Sequence, residues 1–519
     1  MGRSIVSTVL LERPGKWRTI GVVLIFFVAT LPALPLLWQV AATGNTWSLD
    51  GGFFGALSHS FVVALVACAL AFFLGLPVGV LAALYEFPGR KILLAFATLP
   101  LVVPSVLWAI GWSSLLVRFG PAATHLLSGI PGCVLIFSAT IFPLVMLVSY
   151  AACSTLSGSQ VDAARLAGGE RSIFLYAIKY VATPGLLAAG LGGVLALSDP
   201  GPGQILGLQT AASEIMTSFS ALYDFNLAAQ QCVSLTAIVL VFALPLAYFA
   251  GPRIANEMLA RQTHPVRRVR KKKMACITIA ALILFVLVGV VSPLLGLVLP
   301  LFNGESFSRA LSELSRTAGN TLVYALGAGI IAMALGFLLA FFVGRQDRLR
   351  TITLVAAFAV FSLPPTLSAL GFVYLSADSP AWTDPILRSR ITVCLALGLR
   401  FFPVAAVLGM RAWGSTSPSW ALAAGIHGVP FSTYLRRVTL PYLFPAAMVT
   451  VLLAVLLATA DIGTVLLLHP PGATSLPLAI FTIMANAPES LVASLSLIYI
   501  LIAAALLTIV WSVAGAQRK

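Results

Sequence analysis

Charged side chains make up only 9% of the 519 residues. A soluble domain carries about 25%, and so little charge cannot cover a surface that faces water. The six cysteines form no CxxC pair, and the five histidines stand at no metal-ligand spacing. That excludes a disulfide framework and a zinc site, and the cysteines read as small core residues. No GxxxxGK[ST] sequence occurs; Gly15-Lys16 lacks both the first glycine and the following hydroxyl. The chain therefore carries no phosphate-binding loop of that type. Acidic residues are nearly missing from the apolar stretches, which argues against a proton-coupled carrier. The net charge of +15 lies in short runs between those stretches, with no basic face interleaved with aromatics, so nucleic acid is not the partner.

What is present is apolar: 60% of the residues, with a mean hydropathy of +1.02. About 20 apolar residues cross a bilayer as a helix, and twelve such spans are predicted: 20–42, 59–83, 92–117, 131–152, 178–197, 231–251, 275–300, 319–343, 352–376, 391–412, 439–460 and 494–514. The first is too long for a signal-peptide core and reads as a retained span. With both termini in the cytoplasm, 25 of the 31 lysines and arginines fall on the inner side, as the positive-inside rule requires. The expected fold is an all-α integral membrane protein. The segment from Gly251 to Met274, with Arg267, Arg268, Arg270, Lys271, Lys272 and Lys273, reads as a basic cytoplasmic tether or an anionic-lipid contact.

A repeat divides the chain. At a shift of 260, Pro104 meets Pro364, Gly111 meets Gly371, Phe142-Pro143 meets Phe402-Pro403 and Ser157 meets Ser417. From Phe142 to Gly168, 8 of 27 positions are identical. Later the shift grows slightly, so that Asp199 meets Asp461. Six spans per half is an even number, so the halves are two parallel six-helix repeats about an axis along the membrane normal. The expected units are 1–252, a linker at 253–274, and 275–519.

The polar loops after the fourth and tenth spans, about 153–177 and 413–438, are the telling parts. One reads Ser157-Gly-Ser-Gln-Val-Asp162-Ala163-Ala164-Arg-Leu-Ala-Gly168, the other Ser417-Pro-Ser-Trp-Ala-Leu422-Ala423-Ala424-Gly-Ile-His-Gly428. Ser157 and Ser417 suit helix N-caps, Gln160 has capping-box spacing, and Pro418 suits the first helical turn. Gly168 and Gly428 suit left-handed helix ends. Each loop thus predicts a short helix whose alanine pair lets another protein approach closely. Asp162 can bond a basic partner group and Leu422 cannot, so the two contacts are unequal. A plain amphipathic helix on the headgroups is the alternative, but no regular stripe of large apolar residues supports it.

The acidic-Ala-Ala-x3-Gly pattern resembles the cytoplasmic EAA loop of ABC importer permeases, and Arg436-Arg437-Val438-Thr439-Leu440-Pro441 resembles the end of that motif. The first copy departs with Val181 and its nearest proline at Pro184; the second departs at Leu422. Over nearly its whole length the chain resembles ferric-iron and thiamine permeases with two fused halves. The resemblance implies a bacterial inner-membrane transport subunit that is not itself an enzyme. Two separate ATPase subunits would dock on the loops and bind ATP and Mg, and an extracytoplasmic binding protein would deliver the solute: ferric iron first, or thiamine, a phosphonate or another small solute. The alternative is a major-facilitator secondary transporter, whose glycine–aspartate–arginine loop Gly344-Arg345-Gln-Asp347-Arg348 resembles.

Ten of the 16 acidic residues fall on the outer side of this topology. Asp199-Pro-Gly-Pro-Gly203 and Asp461-Ile-Gly463 read as turns at the outer mouth, with either a pathway role or ordinary turn chemistry. Arg400 is the clearest charge inside a span; it either serves a function in the bundle or snorkels to an interface.

Overall fold

The computed structural model describes residues 16–42, 49–259, 268–303 and 307–516. The predicted chain termini and the middle of the basic linker lie outside them. Among the described residues all regular structure is helical, apart from one isolated bridge between Tyr85 and Val269. Nine helices are long and apolar enough to cross a bilayer, and three bent pairs raise the number to as many as twelve. Each of the twelve predicted spans overlaps one of these. The protein is a multi-pass, all-helical membrane protein. Its large apolar side chains also face outward, among them Phe73, Val241, Tyr248 and Leu501, as expected where lipid is the solvent.

The three bent pairs break at prolines. Lys16–Thr30 and Ala33–Ala42 meet at 61°, Arg90–Val102 and Ser105–Val117 at 101°, and Asp347–Phe361 and Pro365–Ala377 at 77°. Val103 is extended at φ −100°, ψ 137°, as the residue before Pro104 must be. A proline also removes the N–H that would continue the ladder. The third and ninth predicted spans are therefore not continuous rods: each is bent sharply in its middle.

The two most enclosed long helices are Ile130–Ser154 and Arg390–Gly414. Small residues let their neighbours close on them. A Cβ on Gly79 of Gly51–Leu84 would stand 2.4 Å from the Met146 carbonyl oxygen, and one on Gly336 would stand 2.5 Å from the Ala405 carbonyl carbon. Aromatic contacts cross the predicted division of the chain. Phe142 stacks on Phe285 with ring centroids 3.8 Å apart, and Phe402 meets Phe26 edge-on at 5.8 Å. Gly111 closes on the Pro293 carbonyl, and Gly371 on that of Pro32. The helices that begin at Lys16 and Lys272 each pack on the far segment, so hydrophobic clusters are built from both parts of the chain.

Candidate functional site

Both polar loops form the short helices the sequence predicts. The first runs from Gly158 to a break at Gly168–Gly169, inside a run that continues to Leu197; the second is Pro418–Ile426. Ser157 and Ser417 occupy the N-cap positions with extended ψ of 135° and 131°, and Pro418 sits in the first turn. Neither hydroxyl caps a backbone N–H, and no capping box forms at Gln160. Instead Ser157 pairs with Ser159, and Ser417 with Ser419, each at 2.6 Å between Oγ atoms. A local hydroxyl pair takes the place of the cap in both copies.

The helix ends differ from expectation by one residue in the first copy. Gly428 is left-handed at φ +63°, and the Val429 N–H closes the turn on the Ala424 carbonyl at 2.9 Å. In the first copy Gly168 has φ −160°, and the left-handed residue is Gly169 at +64°. The Gly-Gly pair made position 168 look sufficient; the chain uses the second glycine because helical geometry is lost over both residues. Gly169→Val and Gly428→Val are each expected to lower thermal stability by about 1–2 kcal/mol, because a β-branched side chain is penalised there. Membrane insertion should survive. Unchanged melting of both variants would contradict these left-handed ends.

The alanine pairs are half presented. Ala163 and Ala423 are exposed, Ala164 is half-buried, and Ala424 is buried with Ala421 against Tyr434. Asp162 is exposed and pairs with Arg165 at 3.3 Å, and Leu422 is 49% exposed. The larger surprise lies beside them. Leu166 is 91% exposed and Ile426 is 83% exposed, and they stand 260 residues apart. An apolar side chain in the same register of both polar loops was the available signal, and a search for a full stripe misses it. Pro441 lies in the first turn of Leu440–Ala460, just after a π-helical turn at Leu435–Thr439. Next to it, Tyr442 meets Trp420 edge-on at 5.0 Å, tying that span to the second loop helix.

The second cluster lies at the other ends of the same long helices. Asp199 follows Gly158–Leu197, and Asp461 follows Leu440–Ala460. Both acids make the local turn and cap bonds that the sequence allowed, and each opens onto short helices. These are Gly201–Leu206 and Ala211–Ser220 in one case, Ile462–Leu468 and Leu476–Ile483 in the other. Asp461 is buried and caps Ile462–Leu468, accepting from the Thr464 N–H at 2.9 Å and from its hydroxyl at 3.0 Å. Asp199 accepts from the Ser105 hydroxyl at 2.6 Å and from the Gly201 N–H at 2.9 Å. Ser105 is the first residue beyond the bend at Pro104.

Arg400 does not snorkel. Its side chain is 15% exposed, and its Nε stands 2.7 Å from Asp461 Oδ2 as an ion pair. Nη1 donates to the Leu363 carbonyl at 3.2 Å, one of the carbonyls freed by the bend before Pro364. Thr140, at the matching register of the first half, bonds only within its own helix. Arg400 thus fastens one broken span to the helix that ends at Asp461. A cavity of about 30 Å³ opens beside it, lined by Thr30, Leu363, Ser368 and Arg400 among others.

No family model and no curated protein matches this chain.

Proposed function

We propose that this chain is the transmembrane permease subunit of an ATP-driven importer of the ABC class, built from two fused, parallel six-span halves. The observation that carries the reading is the pair of contact helices. Both begin with an extended serine and a Ser–Ser hydroxyl pair, both end at a left-handed glycine, and both expose a large apolar residue in equal register, Leu166 and Ile426. A short helix that exposes a large apolar side chain near its end suits insertion into a groove of a partner. The reciprocal contacts Phe142–Phe285 and Phe402–Phe26 support the two-fold repeat.

The contact helices connect directly to the polar cluster. Each passes through a glycine turn into a long helix that ends at Asp199 or Asp461. About 30 helical residues at ~1.5 Å each carry a displacement some 45 Å. When two partner ATPases close on the contact helices, the paired long helices transmit the movement to the broken spans around Ser105, Pro364 and Arg400. The pathway then alternates its access, driven by the ATPases' differential affinity for the two arrangements. ATP and Mg bind to those partners, and a binding protein supplies the solute. Ferric iron is the first candidate; thiamine, a phosphonate or another small solute follow. Positive-inside charge supports cytoplasmic termini in a bacterial inner membrane.

Co-purification tests the reading. Gently solubilised protein is expected to bring down an ATPase in stoichiometric amount, and Leu166→Asp combined with Ile426→Asp is expected to release it while the chain stays folded. Solute uptake into vesicles that needs no nucleotide would refute the reading.

A further inference from the structure

We propose that Glu170 is the positioning residue of the first contact helix, and that residues 268–271 strap it to the helix that opens the second half of the chain. The functional consequence rests on the permease reading above; the strap itself does not.

Three chain segments that are far apart in sequence converge on the Glu170 carboxylate. Glu170 directly follows the left-handed Gly169 and so marks the end of the contact helix. Its side chain is only 13% exposed. Tyr85, fully buried where Gly51–Leu84 stops, donates its hydroxyl to Oε2. The Lys271 ammonium stands 2.7 Å from Oε1, and the Arg165 guanidinium, from the contact helix itself, 3.4 Å from the same oxygen. Lys271 is the N-cap residue of Lys272–Val286. One carboxylate thus joins the contact helix, the end of the second predicted span and the start of the seventh.

The strap is held by more than that ion pair. Val269 adds a single β-bridge to the corner, its N–H donating to Leu84 at 3.2 Å and its carbonyl accepting from Glu86 at 3.2 Å. Arg270 pairs with Glu86 at 3.0 Å. Arg268 donates to the Tyr150 hydroxyl at 2.9 Å, which also accepts from Arg90 at 2.7 Å. These contacts make this end of the linker a tether bound to the protein body. A β-bridge fixes register through the backbone, and the flanking cations then meet acids placed to receive them. Burial, followed by the bond to Glu170, pushes the Tyr85 phenol above its ordinary range, so it remains a donor at any working pH.

The second contact helix is held differently. Pro430 stands at the position matching Glu170 and Gly425 at the one matching Arg165, so the hub has no counterpart there. Instead Arg345 donates to the Thr416 carbonyl, just before the helix begins. The first contact helix has a charged hub at its end, whereas the second has its polar anchor at its start and apolar packing on Tyr434 and Tyr442. A shared pull from two identical partners would therefore reach the two halves unequally.

Hydrogen exchange on the full-length chain in lipid nanodiscs tests the strap. Glu170→Gln and Lys271→Gln are each expected to speed exchange of residues 158–170 by roughly tenfold, with 418–428 unchanged. Because both act on one contact, the double variant should be little faster than either single, the non-additivity of partners in one network. Glu170→Asp should restore part of the protection. Additive effects, or unchanged exchange in all three, would overturn the strap. In a second arm, the variants are assayed with the co-purified ATPase. A fall in solute moved per ATP hydrolysed, partly rescued by Glu170→Asp, is the expected result. Equal coupling in all variants would overturn the positioning role, whereas failure to recover any ATPase would overturn the permease reading and leave the exchange result standing.

Discussion

Arg400→Met is expected to destabilise the protein by about 3–5 kcal/mol, the usual cost of removing one partner from a buried ion pair. The loss should show as a large drop in thermal midpoint in detergent. The partner left behind is Asp461, a buried cap whose carboxylate would keep only its two bonds to Thr464. The Leu363 carbonyl at the broken span would lose its donor as well. Asp461→Asn should cost less, since the amide oxygen still caps Thr464, but it strands Arg400. The double variant Arg400→Met with Asp461→Asn is expected to recover much of the loss, because no uncompensated charge remains. On the proposed permease reading, transport should fail in all three, since the broken span is no longer fastened to the helix that ends at Asp461. A fully stable Arg400→Met protein would place Arg400 at a lipid interface instead.

The second large effect is steric. Gly371→Ala places a Cβ 1.7 Å from the Pro32 carbonyl oxygen, and Gly111→Ala places one 2.4 Å from that of Pro293. Overpacking in a well-filled core ordinarily costs about 1–3 kcal/mol. Here the opposing atoms are backbone rather than a side-chain tip, so the loss should reach or exceed the upper end. Both variants are expected to yield little folded monomer by size-exclusion chromatography. Gly55→Ala is the control: nothing lies within 4 Å of its added methyl, and helix propensity should make it neutral or stabilising by about 0.5–1 kcal/mol. Equal yields from all three would mean that the bent helices do not approach the prolines so closely.

Much of the contact site was legible from residue types alone. Serine, alanine and glycine at repeated spacing predict a short helix with a defined start and stop, because capping and left-handed turns are local properties. The same locality explains the misses. Ser157 and Ser417 each had two partners within reach, a backbone N–H and the hydroxyl of a neighbouring serine, and spacing cannot choose between them. Gly168 and Gly169 were equally permissive, so only the path of the chain selects the left-handed one. Leu166 and Ile426 are ordinary apolar residues until their exposure is known.

The sequence alone determined that the chain is a multi-pass helical membrane protein and where its apolar helices lie, because hydropathy and length answer directly to bilayer thickness. Tertiary structure alone decided where the charges go. Arg400 meets Asp461 across 61 residues, and Glu170 meets Tyr85 across 85 and Lys271 across 101. An ion pair depends on which helices pack together, and helix packing is a long-range property that no local pattern of residues encodes.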